Sequence, residues 1–339
     1  MCTSIAINAD NGQVFWGRTM DMNLGMFGED PGIDVDIINI PCGATIASQL
    51  QPWTSKYSMM GLCAADNFNV FDGINAAGLA GGLQVLMEST HAEAEQLQAR
   101  QLQPLLGEEF VTFVLTNFSS VAEIKAHIQE YGLLHHPYRR GQQRLQLPGH
   151  YMFVDETNDS VIIEPTDQGG FKLYDSIGVM TNSPEYDWHL TNLRNYLKLT
   201  NVDPVKSKKI YNDHLTLKPI ETGTGYGMFG LPGDYTSPSR FVRAALLAHN
   251  LDSFTAADGI NQLYSVLKTA MIPRGLEHGH AQSPVSDYTR YWVGYDLTQR
   301  QLYVQTCQGL AFNTMKLVVN QTEITRTTLE ISNDAISLN

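Results

Sequence analysis

Basic residues are scarce in this 339-residue chain: 22 Lys and Arg stand against 35 Asp and Glu, a net charge of −13. A nucleic-acid binder needs a cationic footprint, so this balance excludes that class. No apolar run approaches the ~20 residues that span a bilayer. No basic start followed by an apolar stretch marks a secretory signal. Cysteines are few and irregularly spaced (Cys2, Cys42, Cys63 and Cys307). That excludes a disulfide scaffold, and no CxxC pair marks a zinc site. A cytoplasmic location is the resulting expectation. Charged residues make up only 17% against 43% hydrophobic, which excludes a disordered chain and supplies a large core. Neither an internal repeat nor a low-complexity linker divides the sequence, so one domain over residues 1–339 is expected.

The start of the chain is its most informative part. Methionine is generally trimmed before a small second residue, and Met1 precedes Cys2. Once exposed, Cys2 would carry a thiol, pKa ~8.5, and an α-amine, pKa ~7.7–8. One residue would then supply both nucleophile and base. The plainer alternative is a small buried hydrophobe. Residues 4–8 alternate as a half-buried strand, Asn11-Gly12 signals a two-residue type I′ turn, and residues 13–17 read as the returning strand. That loop sets Cys2 opposite Asp21 and Ile5 opposite Arg18. Facing side chains interact, so Asp21 would orient the mature amine. Arg18 falls on the other face unless a bulge near Gly17 turns it. Beside a thiol, arginine favours the thiolate. A surface ion pair is the alternative for Arg18 and Asp21.

Further on, residues 88–106 are rich in Glu, Gln and Ala and read as a solvated excursion. Residues 110–118 read as a buried helix, and Ser120-Val121-Ala122-Glu123 is a capping box opening a second helix to about residue 131. Residues 150–181 alternate as three or four strands, with a turn at 156–159. Helices follow over 184–199, 239–250 and 256–271, and strands return over 290–319. By pattern alone this is a layered α+β domain.

Four segments add a resemblance. They are Gly17-Arg18-Thr19-Met20-Asp21, Asp72-Gly73-Ile74-Asn75-Ala76-Ala77-Gly78-Leu79, Gly178-Val179-Met180-Thr181-Asn182-Ser183-Pro184, and Gly230-Leu231-Pro232-Gly233-Asp234 with Ser239-Arg240-Phe241-Val242-Arg243. In this order, beginning at Cys2, they resemble the choloylglycine hydrolase family of conjugated bile salt hydrolases and penicillin V acylases. These are N-terminal-nucleophile amidohydrolases with an αββα sandwich fold. The resemblance implies Cys2 as nucleophile with Arg18 and Asp21 around it, Asn182 as a side-chain oxyanion donor, and Arg240 as a distal active-site arginine. The chemistry agrees, because a tetrahedral state needs donors aimed at the developing oxyanion. From the residues alone, Asn182 reads equally as a turn asparagine and Arg240 as an exposed residue at a helix start.

The sequence departs from the bile salt hydrolases at one position. They carry an asparagine shortly after the position of Asn75, where this chain has Val85 or, shifted by one residue, Gln84. The family contact there is partly a backbone N–H, so Val85 and Gln84 are candidates for the oxyanion main-chain group. Penicillin V acylases lack that asparagine too. The expectation is therefore a cysteine amidase cleaving a linear, non-peptide amide of the penicillin V kind. A conjugated bile salt hydrolase is the alternative, and a non-catalytic assembly protein a remote one. Met20, Met26 and Phe27 are expected to line the acyl pocket. The stretch 200–229 matches, by position, an insertion used in the family for tetramer contacts, so a homotetramer is expected. No cofactor or metal is expected. Gly223-Thr224-Gly225-Tyr226-Gly227 lacks the strand–helix setting of a dinucleotide loop, and His135-His136 and His278-Gly279-His280 lack partner ligands.

Overall fold

A computed structural model describes residues 1–29, 32–140, 143–203, 208–209, 214–217 and 225–334. Its first sheet has six antiparallel strands, in the order Val179–Met180, Cys2–Asn8, Val14–Met22, Tyr288–Asp296, Gln301–Thr306 and Asn313–Lys316. Its second has eight, in the order Gly170–Asp175, Ser160–Asp167, Gly149–Val154, Ala80–Val85, Val70–Asn75, Met59–Ala64, Val35–Ile40 and Thr325–Thr328. Trp16, Tyr291 and Tyr295 of the first sheet pack with Met60, Ile74, Met152 and Ile162 of the second in one core. Helices Ser237–His249 and Gly259–Leu267 cover the outer face of the six-stranded sheet. Helices Phe110–Asn117 and Val121–His127 cover the eight-stranded one, through Phe110, Val111, Val114 and Leu115. The layers therefore run helix, sheet, sheet, helix, an α+β sandwich of αββα order. Strands buried on both faces lose the alternating pattern, as Val14–Met22 and Tyr288–Asp296 show. Close helix packing also asks for glycine: a Cβ on Gly17 would lie 2.9 Å from Leu263 Cδ2.

The first hairpin differs from its expected form. Its loop has three residues, Asp10, Asn11 and Gly12. Ala9 N–H donates to Gln13 O at 2.9 Å, and Gly12 takes φ +84°. Asn11 Oδ1 accepts from Gln13 N–H at 3.0 Å. A turn closed by a left-handed glycine is the three-residue alternative to the two-residue hairpin. The added residue slides the register, so Cys2 faces Met20 and Ser4 faces Arg18. A one-residue slip moves every side chain to the other face. Arg18 thus shares the Cys2 face without any bulge at Gly17. The irregularity lies further along, where Met20 pairs with Tyr291 but Asp21 with Thr289, passing over Arg290.

The other elements follow the sequence pattern with shifted ends. Ser120 caps its helix by accepting from Glu123 N–H at 3.2 Å, but Glu123 reaches back to Ser119 N–H, 2.7 Å, one residue before the cap. That helix ends at His127 and tightens to a 3₁₀ turn, Ile128–Glu130. The excursion over 88–106 holds a short helix, Ala94–Ala99, and a strand, Gln103–Leu105, parallel to Tyr131–Leu133. Half of the stretch 200–229, to which the tetramer expectation attached, lies outside the described residues.

Candidate active site

Cys2 opens the first strand and is buried. Arg18 Nη2 donates to Cys2 Sγ at 2.7 Å. Its other donors go to main-chain carbonyls: Nη1 to Leu83 and Phe71, the latter at 3.3 Å, and Nε to Thr19 at 3.2 Å. Asp72 is the counter-ion, with Oδ2 3.9 Å from Arg18 Nε. The hydroxyls of Tyr291 and Tyr295 each donate to Asp72 at 2.6 Å. Burial opposes the guanidinium charge, but Cys2, Tyr291, Asp72 and Asp21 outweigh it and hold the Arg18 pKa above its ordinary value. The cost falls on the carboxylate, since burial raises the Asp72 pKa against the pull of Arg18 and the two tyrosines.

Asp21 lies beside the chain start. Its carboxylate accepts from Thr289 Oγ1 at 2.5 Å and Thr19 Oγ1 at 3.0 Å. Burial raises its pKa, opposed by Arg240, the chain amine and these two hydroxyls. Met1 continues the ladder: its carbonyl accepts from Asp21 N–H at 2.9 Å, and its amine donates to the Asp21 carbonyl. The expected Cys2–Asp21 pairing is thus replaced. With Met1 in place, Cys2 N–H donates to Asn182 Oδ1 at 2.7 Å.

Asn182 joins several of these groups. Its Oδ1 also accepts from Arg240 Nη2 at 2.9 Å, and its Nδ2 donates to the Val85 carbonyl at 2.9 Å. A carboxamide carries two N–H bonds; the second has no protein acceptor among the described residues. Arg240 is fully buried, not exposed at a helix start. Its Nη1 donates to the Cys2 carbonyl and to Thr3 Oγ1, the latter at 2.6 Å, and its Nε to Tyr235 O at 2.8 Å. Burial lowers its pKa, and Asp21 and Cys2 oppose that. The segment before it explains its placement. Asp234 accepts from Thr236 Oγ1 at 2.6 Å, Ser239 Oγ at 2.7 Å and Thr236 N–H at 3.0 Å, bracing the turn that leads into the helix carrying Arg240. Those hydrogen bonds pull the Asp234 pKa down to about 2.

Cys2, Arg18, Asp21, Asn182 and Arg240 therefore form one connected cluster. Val85 joins it through its carbonyl, whereas the Gln84 side chain is tied to Ser4 Oγ. The cluster opens on a cleft of about 870 Å³, walled mainly by apolar side chains including Met20, Phe71, Leu83 and Leu147. Two expected pocket residues do not line it. Met26 is buried in the core, and Phe27 turns its ring edge-on to Tyr291, 6.2 Å between centroids. Both follow the sharp departure of the chain from the second strand, which ends at Met22. Asn75 is structural: its Nδ2 donates to the Leu115 and Phe118 carbonyls at 2.9 and 2.7 Å, and its Oδ1 accepts from Ala77 and Leu79 N–H. Sequence reading missed Asp72, Thr289, Ser237 and the histidines His150 and His189, which surround the cluster. Asp72 had a signal, as the acid opening the Asp72–Leu79 segment. The others had none, because they meet only through the fold.

The choloylglycine hydrolase model of linear amide C–N hydrolases matches residues 2–329. The chain belongs to the choloylglycine hydrolase family. Like that family it is a hydrolase acting on linear amide bonds. It is 29% identical over 324 residues to a bile salt hydrolase/transferase of Clostridium perfringens, covering 94% of this chain and 92% of that protein. A conjugated bile acid hydrolase of Lactobacillus gasseri is 28% identical, covering 94% and 96%. Among solved structures, a mutant conjugated bile acid hydrolase from Clostridium perfringens superposes with a TM-score of 0.86 at 25% identity, covering all of both chains. A penicillin V acylase from Agrobacterium tumefaciens shares the fold, with a TM-score of 0.72 at 20% identity over 96% of this chain and 90% of that one. The sandwich is thus the N-terminal-nucleophile hydrolase fold. Among the described residues no helix is long and apolar enough to cross a membrane.

Proposed function

We propose that this amidohydrolase uses Cys2, freed of Met1, to cleave the amide of a conjugated bile salt, releasing glycine or taurine. The observation that carries the nucleophile is the 2.7 Å contact of Arg18 Nη2 with Cys2 Sγ in a buried site. In the proposed reaction the Cys2 α-amine takes the thiol proton, and sulfur attacks the amide carbon. The free Nδ2 hydrogen of Asn182, with a main-chain N–H of Val85 or Gln84, receives the oxyanion. Arg240 holds Asn182 and the Cys2 carbonyl in place. Collapse breaks the C–N bond, and the α-ammonium passes its proton to the departing amine. Water then attacks the thioester, the α-amine taking its proton, and the acid leaves as the thiol re-forms. Asp21 steadies the amine through the charge it brings to the chain start.

The substrate reading follows the relatives named for bile salts and departs from the penicillin V expectation. That expectation rested on the missing asparagine side chain and on an apolar wall of Met20, Met26 and Phe27. Val85, however, meets Asn182 through its main chain, which any residue supplies, and of the three wall residues only Met20 lines the cleft. The cleft of about 870 Å³ suits a fused-ring acyl group better than one phenyl ring, since small-molecule sites span ~300–1,000 Å³. Tetramer assembly through 200–229 and a cytoplasmic location belong to the same proposal. In support of assembly, Leu197 just before that stretch and Val202 and Phe229 near its two ends are exposed apolar side chains. The test is a comparison of kcat/KM for taurocholate, glycocholate and penicillin V. Bile salts are expected to lead, and penicillin V ahead by about tenfold, a gap of ~1.4 kcal/mol in transition-state binding, overturns the substrate reading.

A further inference from the structure

Two histidines stand behind Asn182 and have no part in the reaction above. His150, on strand Gly149–Val154, is 1% exposed. Its Nε2 lies 3.0 Å from the Thr181 carbonyl oxygen and its Nδ1 3.1 Å from Glu164 Oε1. His189, on helix Tyr186–Leu193, is 1% exposed, with Nε2 2.8 Å from the Asn182 carbonyl oxygen. Its ring stacks on Phe241 at 4.6 Å and 15°. Ser237 Oγ completes the grip, accepting from Asn182 N–H at 2.9 Å and lying 3.0 Å from Thr181 Oγ1. Two consecutive carbonyls are therefore each held by an imidazole, one from a sheet and one from a helix.

A carbonyl only accepts, so Nε2 carries the proton in both rings. For His189, burial pulls the pKa down to about 4 against the pull of the Asn182 carbonyl. The ring is thus neutral at ordinary pH, and its Nδ1 is buried with no partner among the described residues. The grip on Asn182 O is a single neutral N–H. An oxyanion donor works only when its hydrogen is placed within about 0.5 Å of the productive position. The Asn182 side chain inherits its placement from this piece of main chain.

We infer that His150 and His189 are positioning residues for Asn182, fixing the Thr181–Asn182 main chain so that Nδ2 faces the developing oxyanion. The inference rests on the oxyanion reading of Asn182. His189→Phe tests it by keeping the stack on Phe241 while removing the N–H; His189→Gln returns a neutral donor close to the position of Nε2. His189→Phe should lower kcat by on the order of tenfold, since small misplacement is costly in rate, with KM within about twofold. Alkylation of Cys2 by iodoacetamide forms no oxyanion, so its rate should stay at the wild-type value. His189→Gln should recover turnover to within about threefold. An unchanged kcat in His189→Phe overturns the inference. So does alkylation falling in parallel with turnover, which marks general damage, or a glutamine variant no better than phenylalanine. Asn182→Ala separates the two readings. Full turnover in Asn182→Ala ends the oxyanion assignment, whereas a slow Asn182→Ala beside an unaffected His189→Phe ends only the positioning role. If His189→Phe does not fold, His150→Leu in a Glu164→Gln background carries the same comparison.

Discussion

Asn182 is the residue at which donor and scaffold roles can be pulled apart. Its carboxamide makes contacts at 2.7 Å to Cys2 N, 2.9 Å to Arg240 Nη2 and 2.9 Å to Val85 O. Asn182→Ala removes all of these and strands groups that are largely buried, at about 1–3 kcal/mol for each group left unpaired. Against a total of ~5–15 kcal/mol, that is a large loss of stability. Asn182→Asp behaves differently. One carboxylate oxygen still accepts from Cys2 N and Arg240, and only the Val85 contact turns repulsive. The aspartate variant should therefore melt well above the alanine variant. For catalysis the two should converge, because neither has an N–H to offer an oxyanion. Losing one such donor costs on the order of 10²–10³ in kcat, ~2.7–4 kcal/mol. The assay pairs steady-state hydrolysis with thermal unfolding of both variants. An aspartate variant within about threefold of wild-type turnover refutes the reasoning, for then the acceptor face of residue 182, not its N–H, serves the reaction.

Cys2→Ser should keep the fold and lose nearly all turnover, because a hydroxyl is far harder to deprotonate; most of the rate surviving on the best substrate removes the nucleophile assignment. Iodoacetamide should label Cys2 ahead of the exposed Cys42, and ahead of Cys63 and Cys307, whose thiols burial raises, Cys63 to about 12. In Arg18→Leu that preference over Cys42 should vanish, and its persistence argues that the guanidinium does not activate the thiol. Asp21→Asn should slow hydrolysis and also change the stability profile. Burial raises the Asp21 pKa in the folded protein. Its stabilising contribution is therefore present below the unfolded value and lost as pH rises through the folded one. Without that group, the variant should lose less stability than wild type as pH rises above the ordinary carboxylate range, and equal slopes in denaturant titrations count against it.

Much of the fold was legible where local chemistry fixed it. Helix Phe110–Asn117, the Ser120 cap and the strands over 149–180 follow from apolar period and capping residues. The hairpin register was not, since Asn11-Gly12 satisfies two loop lengths and only packing chooses between them. That choice decided which face Arg18 shares. Cys2, Arg18, Asp21, Asn182 and Arg240 were named through motifs, and the fold does bring them together. Asp72 meets Tyr295, 223 residues away, His150 holds the Thr181 carbonyl, 31 residues away, and His189 holds the Asn182 main chain seven residues back; no short pattern encodes such pairings. The Met26–Phe27 expectation failed because sequence adjacency to Asp21 says nothing of where the chain turns after Met22.

The Arg18 guanidinium reaches from the six-stranded sheet to the Phe71 and Leu83 carbonyls of the eight-stranded one, so the thiol's cation is also a rivet between the sheets. Neither sheet can slide on the other without moving the chemistry. Only part of the cleft wall obeys that constraint. Several of its residues, including Asn67, Leu145 and Leu147, come from connections or short outer strands that the rivet does not touch. Connections of this kind accept substitution more readily than the strands that carry them. The reaction is therefore anchored while the choice of acyl group is free to drift, and one machinery can be handed from one amide to another by rewriting only its walls.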